Sequence, residues 1–391
     1  MDKRQIYLDN ASTTPIDPAV LTAMLPYLKE GYGNPSSLYG LGRSSKYAIE
    51  QSRQKIAEII GADREEIVFT GSGTEADNLA LFGLARAHKE KGRHIIVSTI
   101  EHKAILEPCK RLEKEGFEVT YLAVDKKGLV SLEELRASLR PDTILVSIMY
   151  ANNEIGTIEP IKKIAQLLKK DGSIYPIFHS DACQAANTQS IDVKELGVDA
   201  LTLSSSKIYG PKGIGFLYLN KKYAIEPMIV GGGQERGLRS GTENVALIAG
   251  MAKALEITEK KKKLEGPRLL QLRDYFLARI KKEIKSVSIN GDTKVRLPNN
   301  INISIKGVEG EALVLLLDEQ GVCCSTGSAC SSMDLTPSYV LTSIGVPLEL
   351  AHCSVRFTLG RHTTKKDTDK TMKILIKAVE TLRKISSIKC S

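Results

Sequence analysis

Apolar residues in this chain fall into short, nearly continuous runs separated by stretches with helical spacing. The runs are IVFT (67–70), HIIVS (94–98), EVTYLAV (118–124), TILVSIM (143–149), IYPIFHS (174–180), ALTLS (200–204) and GFLYL (215–219). Continuous rather than alternating apolar character is what strands buried on both faces require. Intervening helices, such as residues 161–170, supply the crossovers, so the pattern predicts an α/β fold with a mostly parallel central sheet. After about residue 258 the pattern changes. Leu269, Leu272, Phe276 and Ile280 share one helical face, followed by a strand (NISI, 302–305), a helix (310–320), a strand (VRFTL, 355–359) and a final helix. That helix carries Met372, Leu375, Val379 and Leu382 on one side, with Thr364 and Asp367 as its capping box. The expectation is a large domain over 14–258 and a smaller α+β domain built from 1–13 and 259–391.

The chain has 391 residues, 42% of them hydrophobic, enough for two cores. It has no 18-residue apolar run and no apolar core behind the charges of MDKRQIYLDN, which predicts a cytoplasmic protein with no membrane span. Net charge is +9, but the lysines are scattered and there is no Trp. The densest run, Lys260 to Lys263, reads as a solvated helix face, and the pattern argues against direct nucleic-acid binding. Seven cysteines, none in a C-x-x-C pair, point away from a disulfide framework and from a structural zinc site; no metal is expected.

Three features carry chemistry. GSGTEADN (71–78) follows a strand and opens a helix, an arrangement that suits an anion and equally an ordinary strand–helix turn. Asp181 ends an apolar strand, where open α/β sheets bind ligands; a protonated ring nitrogen or a structural arginine would each pair with it. Lys207, in SSSKIYGPKG, follows another buried strand among small hydroxyl residues, where desolvation favours a Schiff-base amine. Together a phosphate cradle, an acid for a ring nitrogen and an amine for an aldehyde are what pyridoxal 5′-phosphate (PLP) demands.

The chain also resembles a known family, the NifS/IscS-type cysteine desulfurases of the fold-type I PLP enzymes. The resemblance runs through YLDNASTTP (7–15), GNPSS (33–37), IVFTGSGTEADN (67–78), EHKAIL (101–106), NNEIGT (152–157), DACQ (181–184), KIYGPKGIG (207–215), GGGQERGLRSGTEN (231–244), STGSACSS (325–332) and VRFTLGR (355–361). It implies that Lys207 holds PLP and moves the substrate Cα proton. Asp181 would pair with the ring nitrogen, Gln184 with the phenolic oxygen, and His102 would stack on the ring and serve in proton transfer. Gly73, Thr74, Ser204 and Ser206 would bind the phosphate. Thr242 would reach the phosphate of a neighbouring subunit, which implies a homodimer. Asn153 and Arg356 would clamp the carboxylate of L-cysteine. Cys330 would take the sulfur as a persulfide, leaving alanine, and pass it to an acceptor such as an iron–sulfur scaffold or a tRNA-thiolation enzyme.

Some positions depart from the family pattern. Ser206 stands where many members have His. Cys323 and Cys324 form an unusual adjacent pair, read here as strand packing, with persulfide resolution or metal binding beside Cys330 as the other readings. The segment from Met333 to Pro337 fits the branch with an extended cysteine loop, and the stop at Ser391 lacks the longer scaffold-docking tail. The loop thiol argues against an aminotransferase. A selenocysteine lyase stays open, and the presence of Lys207, Asp181 and Cys330 argues against a non-catalytic scaffold.

Overall fold

In the computed structural model, residues 5–169, 172–326 and 337–385 are described. The central sheet has seven strands: β2 (Ile67–Thr70), β3 (His94–Ser98), β4 (Glu118–Leu122), β5 (Thr143–Ser147), β6 (Ile177–Asp181), β7 (Ala200–Ser204) and β8 (Gly215–Leu219). Their order is β2-β8-β7-β6-β5-β3-β4. Every pairing from β7 through β4 is parallel, and β8 alone runs against its neighbours β2 and β7. The fold is therefore the expected α/β arrangement with a mostly parallel sheet.

The continuous apolar runs are explained by what covers the sheet. Ile96, Val146 and Phe178 face one hydrophobic cluster, which includes Ile49, Ile56 and Leu255 of the helices Gly40–Ile60 and Val245–Glu283. Their neighbours Ile95, Val97, Leu145 and Ile177 face another, with Leu79, Leu84, Ile105 and Leu112. Successive strand residues point to opposite faces, so a sheet covered on both sides needs apolar residues on both, and the polar residues the strands do hold, such as Ser147, His179 and Thr202, are buried. Only β4, at the edge, is largely half-exposed.

Three strands, β4, β5 and β6, shift their limits by a few residues from the apolar runs. The run at 174–180 becomes β6 only from Ile177, because Pro176 has no N–H for the ladder. The runs at 118–124 and 143–149 pair only to residues 122 and 147, and beyond β5 Met149, Asn153 and Glu154 line the cavity described below.

A third cluster gathers Phe276, Ile303, Phe357, Leu317 and Leu375 around an antiparallel sheet. That sheet is β12-β10-β9, formed by β9 (Val287–Ile289), β10 (Asn300–Ile305) and β12 (Ser354–Thr358). Phe276 and Phe357 meet edge to face at 5.5 Å between ring centroids. The sequence pattern did not reveal β9, whose three residues are too few to show a period. Nor did it reveal the parallel pair of β1 (Ile6–Tyr7) and β11 (Val322–Cys323), through which the N-terminal segment joins this cluster. The capping box is present: Thr364 N donates to Asp367 Oδ2 at 2.9 Å and Asp367 N to Thr364 Oγ1 at 3.2 Å. The helix Val245–Glu283 is continuous over 39 residues, packing near its start on the first cluster and near its end on the third. Cys324 packs against the third cluster, and burial pushes its thiol up.

Candidate active site

The parallel strands all end on one side, and their carboxyl ends open onto a cavity of ≈ 320 Å³. This is the crevice where open α/β sheets place ligands. Asp181 is the last residue of β6 and Ser204 the last of β7. Lys207 follows β7 on a tight turn, Ser205–Lys207, and His102 lies just beyond β3. Asn153 and Glu154 follow β5, and Arg356 comes across from β12. All of these line the cavity, as do Gly73, Thr74, Gln184 and Ser206.

Each side chain is held by specific contacts. Asp181 is 8% exposed, and its Oδ1 accepts from the backbone N of Cys183 at 2.8 Å. Gln184 Nε2 donates to the carbonyl of Ala11 at 2.9 Å. Lys207 Nζ donates to the carbonyl of Ser12. Ser12 stays over this turn because Thr14, two residues on, donates from N and Oγ1 to the Ser206 carbonyl. Ser204 and Ser206 hydroxyls lie 3.1 Å apart. Gly73 begins a helix capped by Ser72, whose Oγ accepts from Glu75 N at 3.0 Å. A Cβ at Gly73 would lie 3.0 Å from Cys183 Sγ and 3.1 Å from Ser204 Cβ, so a larger residue would displace the surroundings of the cradle. His102 caps the helix Lys103–Lys114, its Nδ1 accepting from Ala104 N at 3.1 Å.

Arg356 is 2% exposed and firmly oriented. Its Nη1 donates to the Asn153 carbonyl at 2.8 Å, and its Nη2 to Asp9 Oδ1 at 2.7 Å and Ser12 Oγ at 2.9 Å. Asn153 Oδ1 is buried without a hydrogen-bond partner. An unsatisfied buried polar atom beside an oriented guanidinium marks a place where a ligand's polar group completes the set.

The surrounding electrostatics are dominated by burial. Burial raises the carboxyl of Glu101 to about 8 and raises that of Glu154, which Ser338 Oγ partly offsets by donating to Glu154 Oε2 at 2.5 Å. Burial also holds the Cys183 thiol far above its usual range, so it is no nucleophile here.

One expected residue does not line this cavity. Thr242 is exposed and lies in a separate cleft with Thr70, Gly71 and Arg239. Its loop is tied down by Arg239 Nε, which donates to Glu75 Oε1 at 2.8 Å. Cys330 lies outside the described residues. Several cavity residues were missed by sequence reasoning: Ser12, Asp77, Glu154 and Tyr339 line it, and Asp9 holds Arg356. The first three and Asp9 sit inside motifs that were singled out, but nothing in a linear string shows which motif positions face inward. Tyr339, whose hydroxyl donates to the Glu101 carbonyl at 2.6 Å, had no local signal.

Residues 6–371 match the aminotransferase class-V family. The chain is 53% identical over 387 residues to the cysteine desulfurase IscS of Dictyoglomus turgidum, covering 99% of this chain and 98% of that one. It is 49% identical to the cysteine desulfurase IscS of Methanosarcina thermophila, at 99% and 95% coverage. Among solved structures, a NifS-like protein superposes with a TM-score of 0.91 at 36% identity, covering 96% of this chain and all of that one. A structure described as SspA in complex with cysteine gives 0.80 at 36% identity, with 92% and 100% coverage. The chain thus belongs to the class-V aminotransferase family, on the branch of the NifS/IscS-type cysteine desulfurases.

This branch depends on PLP, and the cavity passes a test of fit made on its own atoms. It combines a buried acid at a strand end, an amine, a group of hydroxyls beside the Gly73 helix start and unsatisfied polar atoms at Asn153 and Asp77. Its volume falls at the small end of ligand pockets.

Proposed function

We propose that this protein converts L-cysteine to L-alanine with PLP and delivers the sulfur to Cys330 as a persulfide. The observation that carries the reading is that one cavity joins Lys207, Asp181 and the Arg356–Asn153 pair. An amine, an acid for a ring nitrogen and a carboxylate clamp are together what an amino-acid substrate of a PLP enzyme requires.

Bound there, PLP supplies an aldehyde for an amine and a ring that withdraws electrons from the substrate carbons. Lys207 would hold the aldehyde carbon and would move the proton at the substrate Cα. Asp181 keeps the ring nitrogen protonated, and Gln184 contacts the phenolic oxygen. Gly73, Thr74, Ser204 and Ser206 hold the phosphate through backbone N–H and hydroxyl donors. His102, which lines the cavity, serves in proton transfer. Arg356 and Asn153 orient the substrate carboxylate, and orientation is the larger part of what a rigid guanidinium contributes.

Cys330, as thiolate, attacks the substrate sulfur. An S–S bond forms, the Cβ–S bond breaks, and carbon retains the electron pair and takes up a proton. The balance is cysteine plus protein thiol giving alanine plus protein persulfide. The persulfide then serves a sulfur acceptor, an iron–sulfur scaffold or a tRNA-thiolation enzyme.

The same reading makes the protein a cytoplasmic homodimer. Its support is an apolar surface that a lone chain leaves in water. Leu21, Leu25 and Leu28 are exposed along one helix, with Leu38 (89% exposed), Tyr39, Tyr47 and Val230 (78%) on other segments. The position of Thr242 outside its own chain's cavity supports it as well.

The test is to incubate the PLP-loaded protein with L-cysteine without reductant, and to assay alanine and the mass of the Cys330 peptide in wild type and Cys330→Ala. Alanine with a one-sulfur mass gain, both lost in the variant, is expected. Alanine without any Cys330 adduct would remove the persulfide role, and failure to bind PLP would overturn the whole reading.

A further inference from the structure

Asp77 lines the cavity, yet none of the chemistry above uses it. It is 2% exposed, and its Oδ1 has no hydrogen-bond partner. His179 Nε2 lies 3.8 Å from that oxygen. His179 stands on β6 two residues before Asp181, so the two side chains leave the strand on the same face. The imidazole is fixed at both nitrogens, with Ser147 Oγ 2.8 Å from Nδ1 and Thr202 Oγ1 3.0 Å from Nε2. Thr202 is the register partner of Asp181 across β6 and β7. A chain of polar groups therefore runs from Ser147 on β5 through His179 and Thr202 to Asp77, on the face of the sheet that carries Asp181.

We propose that Asp77 is the second carboxyl of the cofactor's ring-nitrogen site, a positioning residue that acts on Asp181 through Thr202 and His179. The proposal rests on the PLP-dependent reading of the cavity.

Charge explains why a second carboxyl is tolerated there. Among the described residues, the groups facing Asp77 are Asp181 and His179 from β6, Cys183 just after it, Thr202 from β7 and Glu101 from the turn after β3. Among the described residues no lysine or arginine makes an ion pair with Asp77, although Lys207 lines the same cavity. Burial, then Asp181, then Glu101 raise the Asp77 carboxyl well above the usual range, with Thr202 opposing. Burial lowers His179 to about 4, so the imidazole is neutral. Two ionised carboxylates side by side would repel each other, whereas a neutral acid adds an O–H donor and no charge. Asp77 in this form braces the site and leaves Asp181 as the sole counter-charge for the ring.

The experiment uses holoenzyme loaded with PLP isotopically labelled at the ring nitrogen, in wild type, Asp77→Asn and Asp77→Ala. Ring-nitrogen protonation is read by its magnetic resonance shift, PLP affinity by equilibrium dialysis, and the Asp77 proton by an infrared difference spectrum of wild type minus Asp77→Asn at neutral pH. Asn imitates the neutral acid. It is expected to keep the ring nitrogen protonated and PLP affinity unchanged, while the infrared difference shows a protonated-carboxyl band. Ala removes the brace; about tenfold weaker PLP binding and a shift toward the unprotonated ring are expected. Loss of ring protonation in Asp77→Asn, or absence of the infrared band, would overturn the proposal. So would an Ala variant with wild-type shift and affinity. Should the Ala variant not fold, the Asn variant and the infrared band decide alone. A wild type that binds no PLP would instead overturn the PLP-dependent reading itself.

Discussion

Arg356 and Asp9 form an ion pair, Nη2 to Oδ1, at 2.7 Å, with Asp9 brought from the N-terminal segment 347 positions away. The guanidinium assigned to the substrate carboxylate therefore already has a carboxylate of its own. Asp9 orients Arg356 and lowers the positive charge that an incoming amino acid meets.

Asp9→Asn keeps an oxygen for the guanidinium and removes the competing charge. KM for L-cysteine is expected to fall about threefold with kcat changed less than about twofold, since the gain lies in binding common to ground and transition states. Steady-state alanine release measures both. A rise in KM would show that Asp9 serves orientation alone.

Arg356→Lys keeps the charge and loses the planar fork that meets Asn153, Asp9 and Ser12 together. A charge-assisted hydrogen bond is worth about 1.5–3 kcal/mol, so kcat/KM should drop roughly 10- to 100-fold. PLP absorbance should be unchanged, because Arg356 belongs to the substrate side of the cavity. Loss of PLP in this variant would contradict that division.

The expected fold and most of the expected cavity were legible for separate physical reasons. A two-sided sheet needs continuous apolar runs, and β3, β7 and β8 coincide with theirs to the residue. Asp181 and Lys207 stood out because each placed a costly charge at the end of such a run. Asp9, Ser12 and Asp77 did not, because a polar residue in a polar stretch bears no mark of the contact it makes after folding. Ser12 meets Lys207 and Arg356 across 195 and 344 positions. The β1–β11 pair escaped for the same reason: two residues have no period, and their partner lies over 300 positions away.

Glu159 offers a pH test away from the cavity. It is 2% exposed, its Oε2 accepts from Val130 N at 3.3 Å and its Oε1 has no partner. Burial, partly offset by the Val130 bond, raises its carboxyl from 4.5 to about 8. The folded chain thus binds this proton more tightly than the unfolded chain. Its stabilising contribution is complete below the unfolded value and is lost as pH rises through the folded one. Glu159→Gln should flatten the loss of stability between about pH 5 and pH 8, measured by urea denaturation across that range. An unchanged slope would mean that Glu159 is ionised in the folded protein.

Arg53 and Glu235 make a two-bond ion pair, Nη1 to Oε2 and Nη2 to Oε1, each at 2.7 Å. Their side chains are 3% and 2% exposed. Arg53 Nη1 also donates to the Ile67 carbonyl, and Glu235 Oε2 accepts from Phe69 N, so the pair stitches β2 to the loop that leads to Thr242. Glu235 and the following Arg236 hold φ of 48° and 59°, a left-handed backbone that non-glycine residues keep only when their surroundings enforce it. Arg53→Ala leaves Glu235 buried without its counter-ion, at a cost of about 3–5 kcal/mol. Replacing both residues, Arg53→Met with Glu235→Leu, removes the stranded charge and should recover part of that loss while leaving the loop unpinned. Thermal denaturation of the single and double variants measures the first effect, and protease cleavage within residues 231–244 measures the second. A double variant as unstable as Arg53→Ala would show that the pair's role is the loop conformation itself rather than charge compensation.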